Sequence, residues 1–197
     1  MARFGERNGN LFEGVSLRRE VRDIELRVLS ELMRDSKRSD RELAKLLNVS
    51  QPTVSRIRTK LEKAGYIKQY TVIPEFSKLG YKIMAITFVK VKGTISPEER
   101  EKARTLAKDI LRKGPFEIVM GERGIGLDYD GVFISYHRDY SDYSKLMRWF
   151  QQFPFLAVDK TGSFLIDLED PIRYRPLDFN SIAQHIIMKK EKEGQDT

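Results

Sequence analysis

The sequence predicts an α+β chain in two parts: an amino-terminal winged helix-turn-helix domain and a carboxy-terminal ferredoxin-like βαββαβ domain. Three observations lead there. Residues 39–70 carry the caps, the turn and the apolar spacing of two tightly joined helices, followed by a β-prone run. Beyond residue 82, two-residue and helical apolar periods alternate in the order strand, helix, strand, strand, helix, strand. Charge is uneven as well: residues 1–80 hold 17 lysines and arginines against 11 acids, so nearly all of the net +7 lies in the amino-terminal part. A basic excess of this kind favours an anionic partner.

Residues 1–15 mix Gly, Asn and charge without period and are expected to form a flexible arm. Within and just after it, Arg3, Arg7, Arg18 and Arg19 can reach phosphates or simply be solvated. The DNA-binding domain is placed at residues 16–73. Ser16 can cap a first helix running to about Met33, with Val21, Ile24, Val28, Leu29 and Leu32 inward. Ser39 and Glu42 form a capping box for a second helix whose stripe is Leu43, Ala44 and Leu47. The chain turns through Asn48 and Val49, and Ser50 caps a third helix. Pro52 stands in its first turn, and Gly65 follows its end.

The third helix buries Val54, Ile57 and Leu61 and shows a small, polar and basic face without an acid. That is the pattern of a recognition helix, although an amphipathic helix with a solvated charged face would share the spacing. On the DNA reading, Gln51, Pro52, Thr53 and Ser55 lie nearest base edges. Arg56, Thr59, Lys60 and Lys63 reach bases or phosphates. Residues 66–73 alternate in polarity and are expected to be a wing or linker strand, and residues 74–82 a linker.

The second domain is placed at residues 83–169. Ile83–Val91 reads as a strand with Met84, Ile86 and Phe88 on one face. A second capping box, Ser96 with Glu99, opens a helix that Gly114 and Pro115 stop. Residues 116–120 and 132–136 read as strands joined by a Gly-rich connection. Asp139 caps a helix with Tyr143, Leu146, Met147 and Phe150 inward. Pro154 precedes a last strand between Val158 and Leu168, interrupted near Gly162. An antiparallel sheet with helices on one face leaves its other face apolar, and a second copy of the chain is the simplest cover. Residues 170–197 form an extension with a short helix from Ser181, apolar at Ile182, Ala183, Ile186 and Ile187, and a disordered end. That helix either contacts another subunit or docks on its own domain.

Several chemistries are excluded or disfavoured. Without cysteine there is no disulfide, zinc ribbon or thiol catalysis. No apolar run reaches membrane-spanning length and the start has no hydrophobic signal core, so a soluble cytoplasmic protein without a membrane role is expected. The glycines of residues 121–126 run GxxGxG, with no helix opening after them and no P-loop lysine. Asp128 and Asp130 have no third metal ligand close in sequence. The only histidines, His137 and His185, lie far apart, and a surface position is expected for His137. No catalytic residue, metal or cofactor is assigned.

The stretches 41–70 and 128–146, with Leu79 and Gly80 between them, resemble the Lrp/AsnC (leucine-responsive, feast/famine) family of transcription regulators over roughly residues 20–168. The resemblance implies a regulator that binds palindromic operators on double-stranded DNA. It further implies a dimer made through the carboxy-terminal sheets, further assembly, and often an amino acid held between subunits. Its effector and interface loop maps onto Gly124, Gly126, Leu127, Asp128 and Asp130. Two positions depart from the family pattern. Leu127 stands where a Gly usually precedes Asp128, and Ile57-Arg58 replaces an Arg-then-Ile order, which turns Arg58 towards the buried side, where Glu62 is its expected partner. Other readings are a sirohaem-decarboxylase-like enzyme on the same two domains and a non-specific architectural nucleic-acid-binding protein.

Overall fold

A computed structural model describes residues 22–91, 96–151 and 158–193. The chain divides into two compact units, residues 1–73 with 177–197, and residues 74–176. The expected arm, the Ser16 cap, Val21 and Pro154 lie outside the described residues.

The first unit is built on α1 (Asp23–Arg34), α2 (Asp40–Leu47) and α3 (Gln51–Lys63). Helix α1 starts at Asp23, because Arg22 is extended and the Glu25 carboxylate turns back to accept from the Arg22 amide at 3.2 Å. For α2, Ser39 Oγ accepts from the Glu42 amide and the Glu42 carboxylate accepts from the Ser39 amide at 2.7 Å. Asn48 then adopts a left-handed conformation (φ 52°), which reverses the chain within two residues. Ser50 Oγ accepts from the Thr53 amide and starts α3. Val28, Leu32, Leu43, Ala44, Val54, Ile57 and Leu61 close the core, with Ile67 against it.

Two expectations need correction here. Residues 67–75 form no helix or strand, and Val72 is 77 % exposed, so the two-residue period builds no wing ladder among the described residues. The extension is also more than a short helix with a disordered end. Helix α6 (Asn180–Glu193) has 14 residues and belongs to the first unit. Its Ala183 is fully buried, and Ser30 Oγ of α1 donates to the Ala183 carbonyl at 3.0 Å.

The second unit has the order β1 (Ile83–Val91), α4 (Pro97–Lys113), β2 (Ile118–Gly126), β3 (Tyr129–His137), α5 (Tyr140–Gln151), β4 (Val158–Asp167). The strands form one antiparallel sheet in the order β2-β3-β1-β4, as the βαββαβ reading requires. Phe133 of β3 stacks on Phe150 of α5 at 4.8 Å, with Leu146 beside them, and this is the helix-covered face. The register sets the other face: Met120, Ile134, Ile86 and Phe164 line up across all four strands.

Two boundaries and the burial of one residue differ from those expected. Strand β2 continues through the glycines to Gly126, and the connection shrinks to a two-residue turn, Leu127 (φ 49°) and Asp128 (φ 61°), the two positive φ values of a type I′ hairpin. Strand β4 runs unbroken through Gly162; a Cβ there would meet Tyr129 Oη at 2.5 Å, so the glycine admits a ring and does not interrupt the strand. His137, expected at the surface, is 1 % exposed. Its Nε2 is bonded to Ser135 Oγ at 2.8 Å, the Tyr143 ring stands edge-on at 5.6 Å, and Nδ1 has no hydrogen-bond partner.

Burial holds the His137 pKa below its usual 6.5, against the opposing pull of Glu117 and Asp142. A depressed imidazole pKa contributes stability that is present above the unfolded value and is lost as pH falls below it. The thermal midpoint of the second unit is therefore expected to be flat above pH 7 and to fall below about pH 6.5. His137→Leu should remove the share of that fall due to this imidazole; an unchanged pH profile in the variant would show that the imidazole is not responsible.

Candidate nucleic-acid interface

Helix α3 is held to the rest of its unit from one side, which leaves the other free. Its buried face is Val54, Ile57 and Leu61, all 4 % exposed or less. On the opposite side Gln51, Pro52, Ser55, Arg56, Thr59 and Lys63 are exposed, and the stripe 52, 55, 56, 59, 63 follows the helical repeat. The first turn of α3 holds no acid, so its unpaired amides and the helix dipole present positive potential beside Gln51 and Pro52. Arg56 is tied only loosely, its Nε donating to the Pro52 carbonyl at 3.3 Å.

Two of the expected DNA-facing residues are engaged elsewhere. Thr53 is half-buried, with its hydroxyl 2.7 Å from Ser50 Oγ, so it serves the cap. Lys60 is half-buried and its ammonium is bonded to the Glu25 carboxylate. Position 60 lies one residue past the exposed stripe, far enough round the helix to face α1. Glu25 is the residue that sequence reading missed. It is 2 % exposed and also accepts from Arg22 Nε at 2.9 Å. Burial alone would raise its pKa, but the bonds from Lys60 and Arg22 outweigh burial and lower it from 4.5 to about 2. The sequence signal was available: Glu25 stands three residues before Val28 on the inward side of α1, where an acid needs a cation.

Arg58 does turn inward, but its partner is not Glu62. Its Nε donates to Asp40 at 2.8 Å, its Nη2 donates to the Arg38 carbonyl at 3.0 Å, and its guanidinium lies 5.8 Å from the centre of the Tyr70 ring. It thereby ties α3 to the start of α2. Glu62 is exposed and accepts from the Tyr70 hydroxyl at 2.7 Å.

The second group of candidate residues does not form a flexible loop. Gly124 and Gly126 lie in β2, Leu127 and Asp128 form the hairpin turn, and Asp130 lies near the start of β3. Asp128 accepts from Lys90 Nζ at 2.7 Å and Lys160 Nζ at 2.9 Å, and these two ammonium groups hold its pKa at about 2. The carboxylate clips the hairpin to β1 and β4. Leu127 is 80 % exposed in a left-handed conformation. Among the described residues no group of three acids or histidines is arranged to hold a metal ion, and no helix is long and apolar enough to cross a membrane.

Residues 21–68 match the family described as winged helix-turn-helix DNA-binding. An HTH-type transcriptional regulator of Pyrococcus furiosus is 33% identical over 129 residues, which span 66% of this chain and 80% of that protein. LrpC of Bacillus subtilis is 39% identical over 70 residues, 36% of this chain and 49% of its own. In three dimensions PH0061 of Pyrococcus horikoshii aligns with 81% of this chain and 99% of its own at a TM-score of 0.64 and 26% identity. LrpC does so with 80% and 100% at a TM-score of 0.61 and 22% identity, a likeness of fold. With a recognition-type helix exposed on one unit and a βαββαβ sheet in the other, the chain belongs to the Lrp/AsnC family of DNA-binding transcription regulators.

Proposed function

We propose that the chain controls transcription by placing α3 in the major groove of palindromic operators, as a dimer or higher assembly. The observation that carries this reading is the exposed, acid-free stripe Pro52, Ser55, Arg56, Thr59 and Lys63 on a helix whose other side is locked into a core. Gln51 and Ser55, nearest the helix start, read base edges; Arg56, Thr59 and Lys63 take bases or phosphates. Thr53 and Lys60 act from within, the first on the cap and the second on Glu25.

Self-association through the sheet belongs to the same reading. The row Met120, Ile134, Ile86, Phe164 is covered by neither α4 nor α5, and Phe164 is 64 % exposed. Family membership, and no particular residue of this chain, supports an amino-acid effector. The enzymatic reading has no support in the site: His137 is enclosed by the sheet and held by Ser135, and the relatives are named as regulators.

The test is selection of bound fragments from sheared genomic DNA at about physiological salt, where non-specific phosphate binding is suppressed. An enriched palindrome is expected. Arg56→Ala should then weaken operator binding by about tenfold, the loss of one good side-chain contact, without moving the thermal midpoint. Equal affinity of the native protein for random duplex, or an unchanged operator affinity in Arg56→Ala, would reject the placement of α3.

A further inference from the structure

Between α4 and the sheet the described residues leave a cavity of about 610 Å³. Its walls are largely apolar or small. The lining includes Ala103 and Ala107 of α4, Gly121 of β2 and Gly131 of β3. Leu111 and Phe133 line it as well. A Cβ at Gly121 would sit 3.7 Å from Leu111 Cδ1 and 3.9 Å from Phe133 Cβ, ordinary contacts, so sterics do not demand a glycine at position 121. The Leu111 tip lies over Gly121, and a Cβ at Gly131 would stand 3.2 Å from Val89 Cγ2, so the open volume lies beside these contacts and next to Ala103 and Ala107. The volume lies within the range of small-molecule sites.

The charges around the cavity are not balanced. Lys108 and Arg112 of α4 and Arg123 of β2 line it, with Glu122 and Asp130 as the acids. Arg123 pairs with Gly131, which places it on the helix-covered face, whereas Glu122 pairs with Val132 in the register of the opposite face. Asp130 exerts its field on Lys90. The mouth beneath α4 is therefore cationic over an apolar interior.

We infer that this cavity is a binding site for a small molecule with an apolar chain and a single carboxylate, the chain lying against Ala103, Ala107 and Leu111 and the carboxylate meeting Lys108, Arg112 and Arg123. It is formed within one chain, beneath α4, apart from the hairpin turn at Leu127 and from the open sheet face. Because the inference concerns binding alone, it stands or falls separately from operator recognition.

The molecule carries its own reporter. Trp149, the only tryptophan, packs 5.1 Å from Phe150, which stacks on Phe133 in the cavity wall. Titration of the full chain with octanoate, followed by Trp149 fluorescence and calorimetry, should show one site per chain. 1-Octanol should bind about tenfold or more weakly, since it lacks the charge-assisted hydrogen bonds. Neutralising the three cations together (Lys108→Gln, Arg112→Gln, Arg123→Gln) should abolish that preference. Gly121→Leu should abolish binding of both molecules by filling the cavity from the sheet, and Ala107→Leu should do so from the helix, which separates occlusion from damage to the strand. The inference is overturned if octanoate does not bind, if binding survives both filling variants, if octanol binds as tightly, or if leucine, with its added ammonium, binds more tightly than octanoate.

Discussion

Lys60→Ala is expected to destabilise the DNA-binding unit by about 3 kcal/mol, because it strands a buried carboxylate. Glu25 is 2 % exposed, and its charge is satisfied by the Lys60 ammonium and by Arg22, whose own side chain is 67 % exposed and poorly anchored. In a domain whose total stability is on the order of 5–15 kcal/mol, that loss is large. It should appear in a urea transition as a lower midpoint with an unchanged slope. The double variant Glu25→Leu with Lys60→Met, which removes both charges and keeps volume, should recover most of it.

The pH dependence supplies an independent check. Glu25 has its folded pKa lowered from 4.5 to about 2, so its contribution is present above about pH 4.5 and is lost as pH falls towards 2. The gap between the native protein and Lys60→Ala should therefore narrow below pH 4.5. A Lys60→Ala protein with native stability that binds operator poorly would return this lysine to the DNA-facing set. The expected pattern is the reverse, with Arg56→Ala defective in binding and native in stability.

That contrast shows how far the DNA-binding unit was legible in the sequence. Caps are local: Ser39 with Glu42, Ser50 with Pro52 and Ser96 with Glu99 each act within one turn, so the starts of α2, α3 and α4 could be read directly. Partnerships across helices are not local. Lys60 and Glu25 are 35 residues apart and Arg58 and Asp40 are 18 apart, so spacing along one helix pointed Arg58 to Glu62 and left Lys60 facing outward. The same limit hid the burial of His137, which lies opposite Ile83 of β1, 54 residues away in sequence (137 − 83). It also hid the docking of α6, where Ser30 meets Ala183 across 153 residues. Glycine misled in a different way. Gly121, Gly124 and Gly162 were read as breaks, yet each lies inside a strand, and at Gly162 the vacancy holds the Tyr129 ring. A residue without a side chain marks a place where something else comes close as often as it marks a turn.

The sheet supports the other large effect. Phe164→Glu is expected to weaken self-association by at least about a hundredfold, whereas Phe164→Ala weakens it less. The residue sits on β4 directly opposite Ile86 of β1, in a row that Ile134 and Met120 extend to the far edge. In a single chain the ring is 64 % exposed, so a glutamate there costs the isolated fold little. In a dimer closed over this face the carboxylate would be buried without a partner, and that penalty exceeds the loss of the ring's own apolar contact. Sedimentation at micromolar concentration should find the native chain associated and the variant monomeric, with the monomer's far-ultraviolet spectrum unchanged. Operator affinity should fall with it, because two half-sites are no longer engaged by one linked molecule. An associated Phe164→Glu protein would mean that the subunits meet elsewhere, and the open face would then need another cover, since an apolar row spanning four strands is not stable against water unless something lies on it.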